Sequence, residues 1–315
     1  MVAEVIAAMR TLSKEKGRNL LLSISKGSYK IGINSVGENM EIFIKDLLTG
    51  QLYGDNEALR QKAYDRTFSR QGSSREGVDA IVRGGDAFEI KKETLKHRFA
   101  KLTKDIQLNS SPPRSVLRRN DPRLVSKTRI TEGGTWIEKD VFYVIGGVEE
   151  RSRIIRAIYF VQGKCYAADP EIYEEVFEMV KRNARALEGK ISFGSYSPDT
   201  KELGRVRNVD PLGYSTFRIR GMWLLKGPAV AFADVAPMND KDTFTAYAIM
   251  ERAKYELLAA EQRIEDFSSN YRFAVNHKEN PENGLFKVPE VKFDFMRSPL
   301  DPNSYIEVAI LKVSW

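Results

Sequence analysis

The sequence predicts a single mixed α/β domain, and three observations carry that expectation. Two apolar runs, 141-VFYVIGGV-148 and 154-IIRAIYFV-161, read as buried strands. Stretches with one apolar helical face lie on either side of them. The 315 residues are 42% apolar and hold no internal repeat, low-complexity tract or linker-length Pro/Gly segment, so one continuous domain over 1–315 is the simplest organisation.

In chain order, residues 2–13 read as a helix and 37-GENMEIFIKDLL-48 as a second, with Met40, Phe43, Ile44, Leu47 and Leu48 on one face. Glu38, Glu41 and Lys45 fall together on that helix, because three- and four-residue spacings share a side. The stretch 77-GVDAIVRGGDAFEIKK-92 reads as a hairpin in which Gly84-Gly85 supplies a two-residue turn with positive φ. Asp79 then lies on the first strand, and Glu89 and Lys91 on the second. Strand alternation sends Phe88 and Ile90 to the core and projects Glu89 and Lys91 together, with Asp79 near Glu89 across the pair.

A helix is expected over 93–106, then a loop, LNSSPPRS, and the two buried strands. The next helix has favourable ends: Asp169 as cap, Pro170 in the first position, Glu171, Glu174 and Glu175 at the N-terminus, and Lys181, Arg182 and Arg185 at the C-terminus. Strands are expected over 215–225, 229–235 and 304–313, and a long amphipathic helix over 242–266.

Composition narrows the chemistry. One cysteine, Cys165, excludes an internal disulfide framework and a thiolate metal cluster and reads as core. His97 and His277 alone leave almost no room for a histidine-rich zinc site. Neither a Walker-type loop nor a GxGxxG fingerprint occurs, which argues against nucleotide cofactors. No run of 18 apolar residues exists, and MVAEVIAAMR carries Glu4 within its apolar stretch and lacks a basic leader; the expectation is a cytoplasmic protein with no membrane association.

Fifty Lys and Arg against 43 Asp and Glu give a net charge of +7, which suits a polyanionic partner. The charge is clustered. Arg114, Arg118, Arg119, Arg123, Lys127 and Arg129 face a single acid, Asp121, between Pro113 and Ile130, and Arg205, Arg207, Arg218 and Arg220 surround Asp210.

Phosphodiester hydrolysis requires charge neutralisation on the phosphate and a nucleophilic water at neutral pH, both of which Mg²⁺ supplies with one or two carboxylates for ligands. Asp79 and Glu89 can be those carboxylates, and Lys91 can hold or help deprotonate the water; Glu41 is an auxiliary candidate. The triplet [DE]xK alone is weak, since it also occurs at Glu188–Lys190, Asp199–Lys201 and Glu290–Lys292. The upstream Asp on a partner strand distinguishes Glu89–Lys91.

The arrangement Asp79…Glu89-x-Lys91 resembles the PD-(D/E)xK nuclease signature, with Val78 in place of its Pro. Six segments, GENMEIFIKDLL, RGGDAFEIKK, LNSSPPRSVL, WIEKDVFYVIGGV, ELGRVRNVDPLG and FRIRGMW, further resemble the NgoPII-type type II restriction endonucleases, in order from about residue 37 to 223. The resemblance implies a restriction-endonuclease-like core, a central mixed sheet flanked by helices, over about 37–190. DNA-recognition and dimerisation elaborations would then occupy about 107–130 and 195–315. It also implies a homodimer that uses Mg²⁺, for which Mn²⁺ can substitute. Such an enzyme would cut both strands of duplex DNA at a short GC-rich palindrome such as GGCC, leaving 5′-phosphates, and a cognate methyltransferase would act on the same site. Asp79 and Glu89 would be the metal ligands and Lys91 the water-orienting group.

For recognition, Arg205, Arg207, Asp210, Arg218 and Arg220 are candidates for base contacts, since Arg reads guanine and a carboxylate accepts from cytosine. Gln107, Asn109, Ser110 and Ser111 offer neutral groups beside Pro112-Pro113, and Arg114, Arg118 and Arg119 suit phosphates. Two other readings keep some of these features: a structure-selective repair or recombination nuclease with the same metal site, and a basic DNA-binding protein whose acidic hairpin is only structural.

Overall fold

The computed structural model describes residues 4–22, 33–72, 78–98, 100–121, 124, 131–133, 136–185, 202–207, 216–262, 290–301 and 303–315. Its helices are α1 (Glu4–Lys14), α2 (Ile33–Leu48), α3 (Glu57–Thr67), α4 (Pro170–Arg185), α5 (Pro228–Ala231) and α6 (Arg252–Gln262). Its strands are β1 (Phe68–Gln71), β2 (Ala80–Val82), β3 (Ala87–Leu95), β4 (Ile106–Asn109), β5 (Val116–Arg118), β6 (Glu138–Glu149), β7 (Ile155–Gln162), β8 (Glu202–Arg207), β9 (Thr216–Arg220), β10 (Trp223–Leu225), β11 (Thr245–Glu251), β12 (Glu290–Arg297) and β13 (Tyr305–Ser314).

A nine-stranded mixed sheet runs in the order β1-β2-β3-β6-β7-β11-β13-β12, with β5 also paired to β6. The β3–β6 and β7–β11 pairs are parallel and the other pairs in it antiparallel. The expected mixed α/β fold, a central mixed sheet flanked by helices, is what the chain forms. Two small ladders, β4–β10 and β8–β9, stand apart from the main sheet.

Strand alternation divides the core between the two faces. Phe88, Ile90, Phe142, Val144, Phe160 and Ala248 face α1 and α2, where Ile6, Met9, Met40, Ile44 and Leu47 cover them. Ala87, Tyr143, Ile145, Tyr159, Val161 and Ile249 face the opposite way, under Leu102, Leu117 and Phe232. The Phe88 and Phe142 rings stack with centroids 5.8 Å apart, and both are fully buried. Truncation of either to Ala is worth about 3–5 kcal/mol. This packing holds β3 rigidly, and β3 carries two of the three residues of interest.

α2 is tied to α3 by a buried cluster in which Asp46 accepts from Arg60 Nε at 3.1 Å and from Tyr64 Oη at 2.7 Å. The apolar face predicted for α2 is the buried one: Met40, Ile44, Leu47 and Leu48 are buried, and Phe43 packs against the cluster. Cys165 is buried as expected. Among the described residues no helix is long and apolar enough to cross a membrane.

Four expected elements differ. The strand expected over 215–225 is broken at 221–222 into β9 and β10, which pair in different ladders. Residues 93–106 do not form a helix. β3 continues to Leu95, since Glu93, Thr94 and Leu95 stay in the parallel ladder with Gly147, Val148 and Glu149 of β6. Leu95 at the end of β3 and Leu102 in the loop after it both pack over Gly147, where a Cβ would meet them at about 3.0 and 2.9 Å. Residues 229–235 form α5 and turns rather than a strand. The expected helix over 242–266 is split: Thr245–Met250 are buried between β7 and β13, so they form β11, and α6 begins only at Arg252. A strand buried on both sides has no polar alternation to separate it from a helix.

Candidate active site

The hairpin β2–β3 builds the centre. Its connection is three residues, Arg83–Gly85, rather than the expected two: Val82 N–H donates to Asp86 O at 3.0 Å and Gly85 N–H to Val82 O at 3.0 Å. Gly84 alone there takes positive φ, +66°. The ladder pairs Ile81 with Ala87 and Ala80 with Phe88, which carries Asp79 to the level of Glu89. Asp79 lies at a bend just ahead of β2, fixed at both ends: its N–H donates to Phe88 O at 2.9 Å, and its Oδ2 accepts from Ile90 N–H at 2.6 Å. One carboxylate oxygen is therefore oriented by backbone.

Lys91 joins the two carboxylates. Its Nζ lies 2.5 Å from Glu89 Oε1 and 3.8 Å from Asp79 Oδ2. The side chains of Asp79 and Lys91 are each 28% exposed and that of Glu89 17%, so the group is open to one side yet partly desolvated. Burial raises the Glu89 carboxyl above its ordinary pKa; Asp79 adds to this, while Lys91 and Arg114 oppose it. Burial pushes the Lys91 ammonium down, but Glu89 and Asp79, with Glu41 further off, outweigh it, and its pKa ends above the ordinary value. Lys91 is thus held as a cation at neutral pH.

Glu41, on α2, acts on Lys91 electrostatically, but its own ion pair is with Lys45, Nζ to Oε1 2.5 Å. The donor set suits a hard divalent cation: two convergent carboxylates, with a positive group already drawn between them. Among the described residues there is no cluster of three or more His, Cys, Asp or Glu able to hold a metal, so any ion here would complete its shell with water and substrate oxygens.

Three supporting residues have no signal in the linear motif. Tyr143 of β6 lies opposite Glu89 in the parallel ladder, and its hydroxyl accepts from Arg114 N–H at 2.8 Å and donates to Arg114 O at 3.2 Å. Arg114 is buried rather than surface-facing, pairs with Asp121 at 3.0 Å and acts on Glu89. Arg70 of β1 is buried too; burial lowers its pKa and Asp79 partly offsets that. Pairing of β1 with β2 is what brings Arg70 there, and the RTFSRQ stretch gives no alternation long enough to expect a strand.

The remaining candidates are dispersed. Gln107 and Asn109 are exposed on β4, Asn109 with φ +54°, and Ser110 and Ser111 are half-buried in the turn that follows. Arg118 pairs with Glu171, and Arg119 N–H donates to Ile137 O at 2.9 Å. Arg205, Arg207, Arg218 and Arg220 lie on the β8–β9 hairpin, whose register sets Arg205 opposite Arg218 and Arg207 opposite Thr216; Arg220 is exposed. Asp210, Arg123, Lys127 and Arg129 lie outside the described residues, as do the triplets Glu188–Lys190 and Asp199–Lys201. In the third alternative triplet, Lys292 pairs with Asp294 at 2.7 Å on β12.

The family model described as NgoPII restriction endonuclease matches residues 3–279. The chain is 33% identical over 222 residues to the type II restriction enzyme NgoPII of Neisseria gonorrhoeae, covering 70% of this chain and 74% of that protein. No solved structure matches the chain significantly.

Proposed function

Because this chain belongs to the NgoPII restriction endonuclease family, and is therefore a hydrolase with DNA as its partner, we propose that it cuts both strands of duplex DNA at a short GC-rich palindrome of the GGCC type, with Asp79, Glu89 and Lys91 as its catalytic centre. The observation that carries the assignment is the hairpin register that sets Asp79 level with Glu89 while the Lys91 ammonium lies between their carboxylates.

Asp79 and Glu89 would hold Mg²⁺, for which Mn²⁺ can substitute. The bound ion would lower the pKa of water and neutralise charge on the scissile phosphate. Lys91, kept protonated by its two carboxylate neighbours, orients the water and stabilises the phosphorane-like charge rather than acting as a base. Arg114 and Tyr143 position Glu89, and Glu41 tunes the charge around Lys91. In-line attack would leave a 5′-phosphate and a 3′-hydroxyl.

For recognition we assign the β8–β9 ribbon and the β4–β10 ladder. A two-stranded ribbon fits the major groove, and Arg205 opposite Arg218 is a like-charge pair that a polyanion relieves. Gln107 and Asn109 of β4 and Arg220 are exposed close to the same ladder in sequence. A homodimer matches a palindromic site, since two copies of one centre must reach antiparallel strands, and a methyltransferase acting on that site would protect host DNA.

The test is digestion of DNA of known sequence with Mg²⁺ and with EDTA, followed by sequencing of the ends. Discrete cuts at one palindrome are expected, and none with EDTA. Scattered or junction-directed cuts would favour a repair or recombination nuclease instead. Membership in the family sets aside a non-catalytic DNA-binding protein, and full cleavage by Lys91→Ala would make the hairpin a structural element of an enzyme whose centre lies elsewhere.

A further inference from the structure

We propose that α4 is the surface through which two copies of this chain associate, antiparallel across a two-fold axis. The inference rests on the homodimer reading above and adds the interface.

Among the described residues, Tyr173, Phe177 and Lys181 are the half-buried positions along one side of the helix. The Tyr173 ring meets Trp223 edge-on with centroids 5.3 Å apart, and its hydroxyl accepts from Ala168 N–H at 2.9 Å. Around the first turn, Ser115 Oγ donates to Asp169 Oδ1 at 2.9 Å and Arg118 pairs with Glu171. The other side carries Ile172, Val176, Met179 and Val180, which are 44%, 39%, 47% and 43% exposed. Four large aliphatic side chains on one helical stripe are an unusual exposure for a surface helix.

The spacing and charges of that stripe identify the occupant. Ile172, Val176, Met179 and Asn183 recur at alternating intervals of four and three residues, the seam of a two-helix pair. Glu175 and Arg182, both exposed, lie one heptad apart along the same flank of the seam. When such helices pair antiparallel, a given flank meets the same flank of the other helix. Glu175 of one copy then faces Arg182 of the other, and the two-fold repeats the contact in reverse. A parallel partner would set Glu175 against Val180. The ends agree: Glu171, Glu174, Glu175 and Glu178 make the N-terminal half acidic, while Lys181, Arg182 and Arg185 make the C-terminal half basic.

The placement suits the enzyme. α4 starts against the segment containing Ser115, next to Arg114, whose charge acts on Glu89, so the axis through α4 joins two copies by the elements that support their catalytic hairpins. Among the described residues, the exposed aromatic pair Phe293 and Phe295 on β12 lies at the far end of the sheet from β1–β3.

Sedimentation equilibrium of the full chain tests this, with circular dichroism and melting to confirm folding. The wild type is expected to be a dimer and Val176→Glu/Met179→Glu a folded monomer. Glu175→Arg alone should weaken association about tenfold, because it sets like charges together twice, and Glu175→Arg/Arg182→Glu should restore it. A folded Val176→Glu/Met179→Glu protein that dimerises like the wild type would overturn the α4 interface while leaving the homodimer reading intact. A wild type that stays monomeric free and on DNA would overturn both.

Discussion

The hairpin β2–β3 ends in two clusters of the same composition, each a pair of acids bridged by a lysine, and they differ in the features that the proposed catalytic role needs. At one end Lys91 lies 2.5 Å from Glu89 and 3.8 Å from Asp79, with side chains 17–28% exposed. At the turn end Lys254 of α6 lies 2.8 Å from Asp86 and 2.9 Å from Asp140, with side chains only 8–15% exposed. The second cluster is nearly symmetric and closed. Burial raises Asp86 despite Lys254, whereas at Asp140 burial is outweighed by Lys254 and Lys164 and the carboxyl falls. Asp140 is thus the stronger partner. The first cluster is asymmetric and open, and its lysine comes from the same strand as one of its acids. The open side of the first cluster leaves room for the metal and substrate of the proposed mechanism, beside Lys91; the second cluster is closed on all its members.

The largest expected contrast is between the two lysines. Lys91→Ala should remove cleavage, by at least about 10²-fold in kcat, with folding and DNA binding largely kept. Lys254→Met should do the reverse. It leaves Asp86 and Asp140 buried without their shared cation and should cost about 3–5 kcal/mol of stability, while cleavage by the folded fraction stays near the wild-type rate. Denaturant melts and turnover on one plasmid substrate read both. Loss of turnover in folded Lys254→Met protein, or full turnover in Lys91→Ala, would erase the distinction.

The open cluster was the more legible of the two in the sequence. Asp79, Glu89 and Lys91 lie within one hairpin, so strand alternation and a glycine turn suffice to bring them together. The turn proved one residue longer, which shifts the pairing by one and sets Asp79 level with Glu89 instead of one residue away from it. The closed cluster depends on α6, 168 residues along the chain from Asp86. That helix begins where β11 ends, a boundary hidden inside a continuous helical pattern. Arg70 and Tyr143 were invisible for the same reason: only the pairing of β1 with β2 and of β6 with β3 brings them to the acids. Likewise Arg114 read as a surface cation within a basic run, because nothing local shows that Tyr143 holds its backbone and Asp121 its guanidinium.

The smallest predicted effect sharpens the comparison at its buried end. Glu4, in the first turn of α1, is buried with its carboxylate against Gly85 and close enough to Asp86 and Lys254 to act on both. Burial raises its pKa to about 7, with Asp86 adding to the rise and Lys254 opposing it. The folded chain therefore binds this proton more tightly than the unfolded one. The associated stability is fully present below about pH 4.5 and is lost as pH rises through about 7. Glu4→Gln removes the titration but keeps the shape. It should match the wild type near the acid end and exceed it at pH 8 by roughly 3 kcal/mol, read from denaturant melts at both pH values. The open cluster should not respond, so turnover at pH 8 should be unchanged for equal amounts of folded protein. If Glu4→Gln instead lost stability equally at both pH values, Glu4 would be a charged partner of Lys254, and the closed cluster would have three ionised acids rather than two.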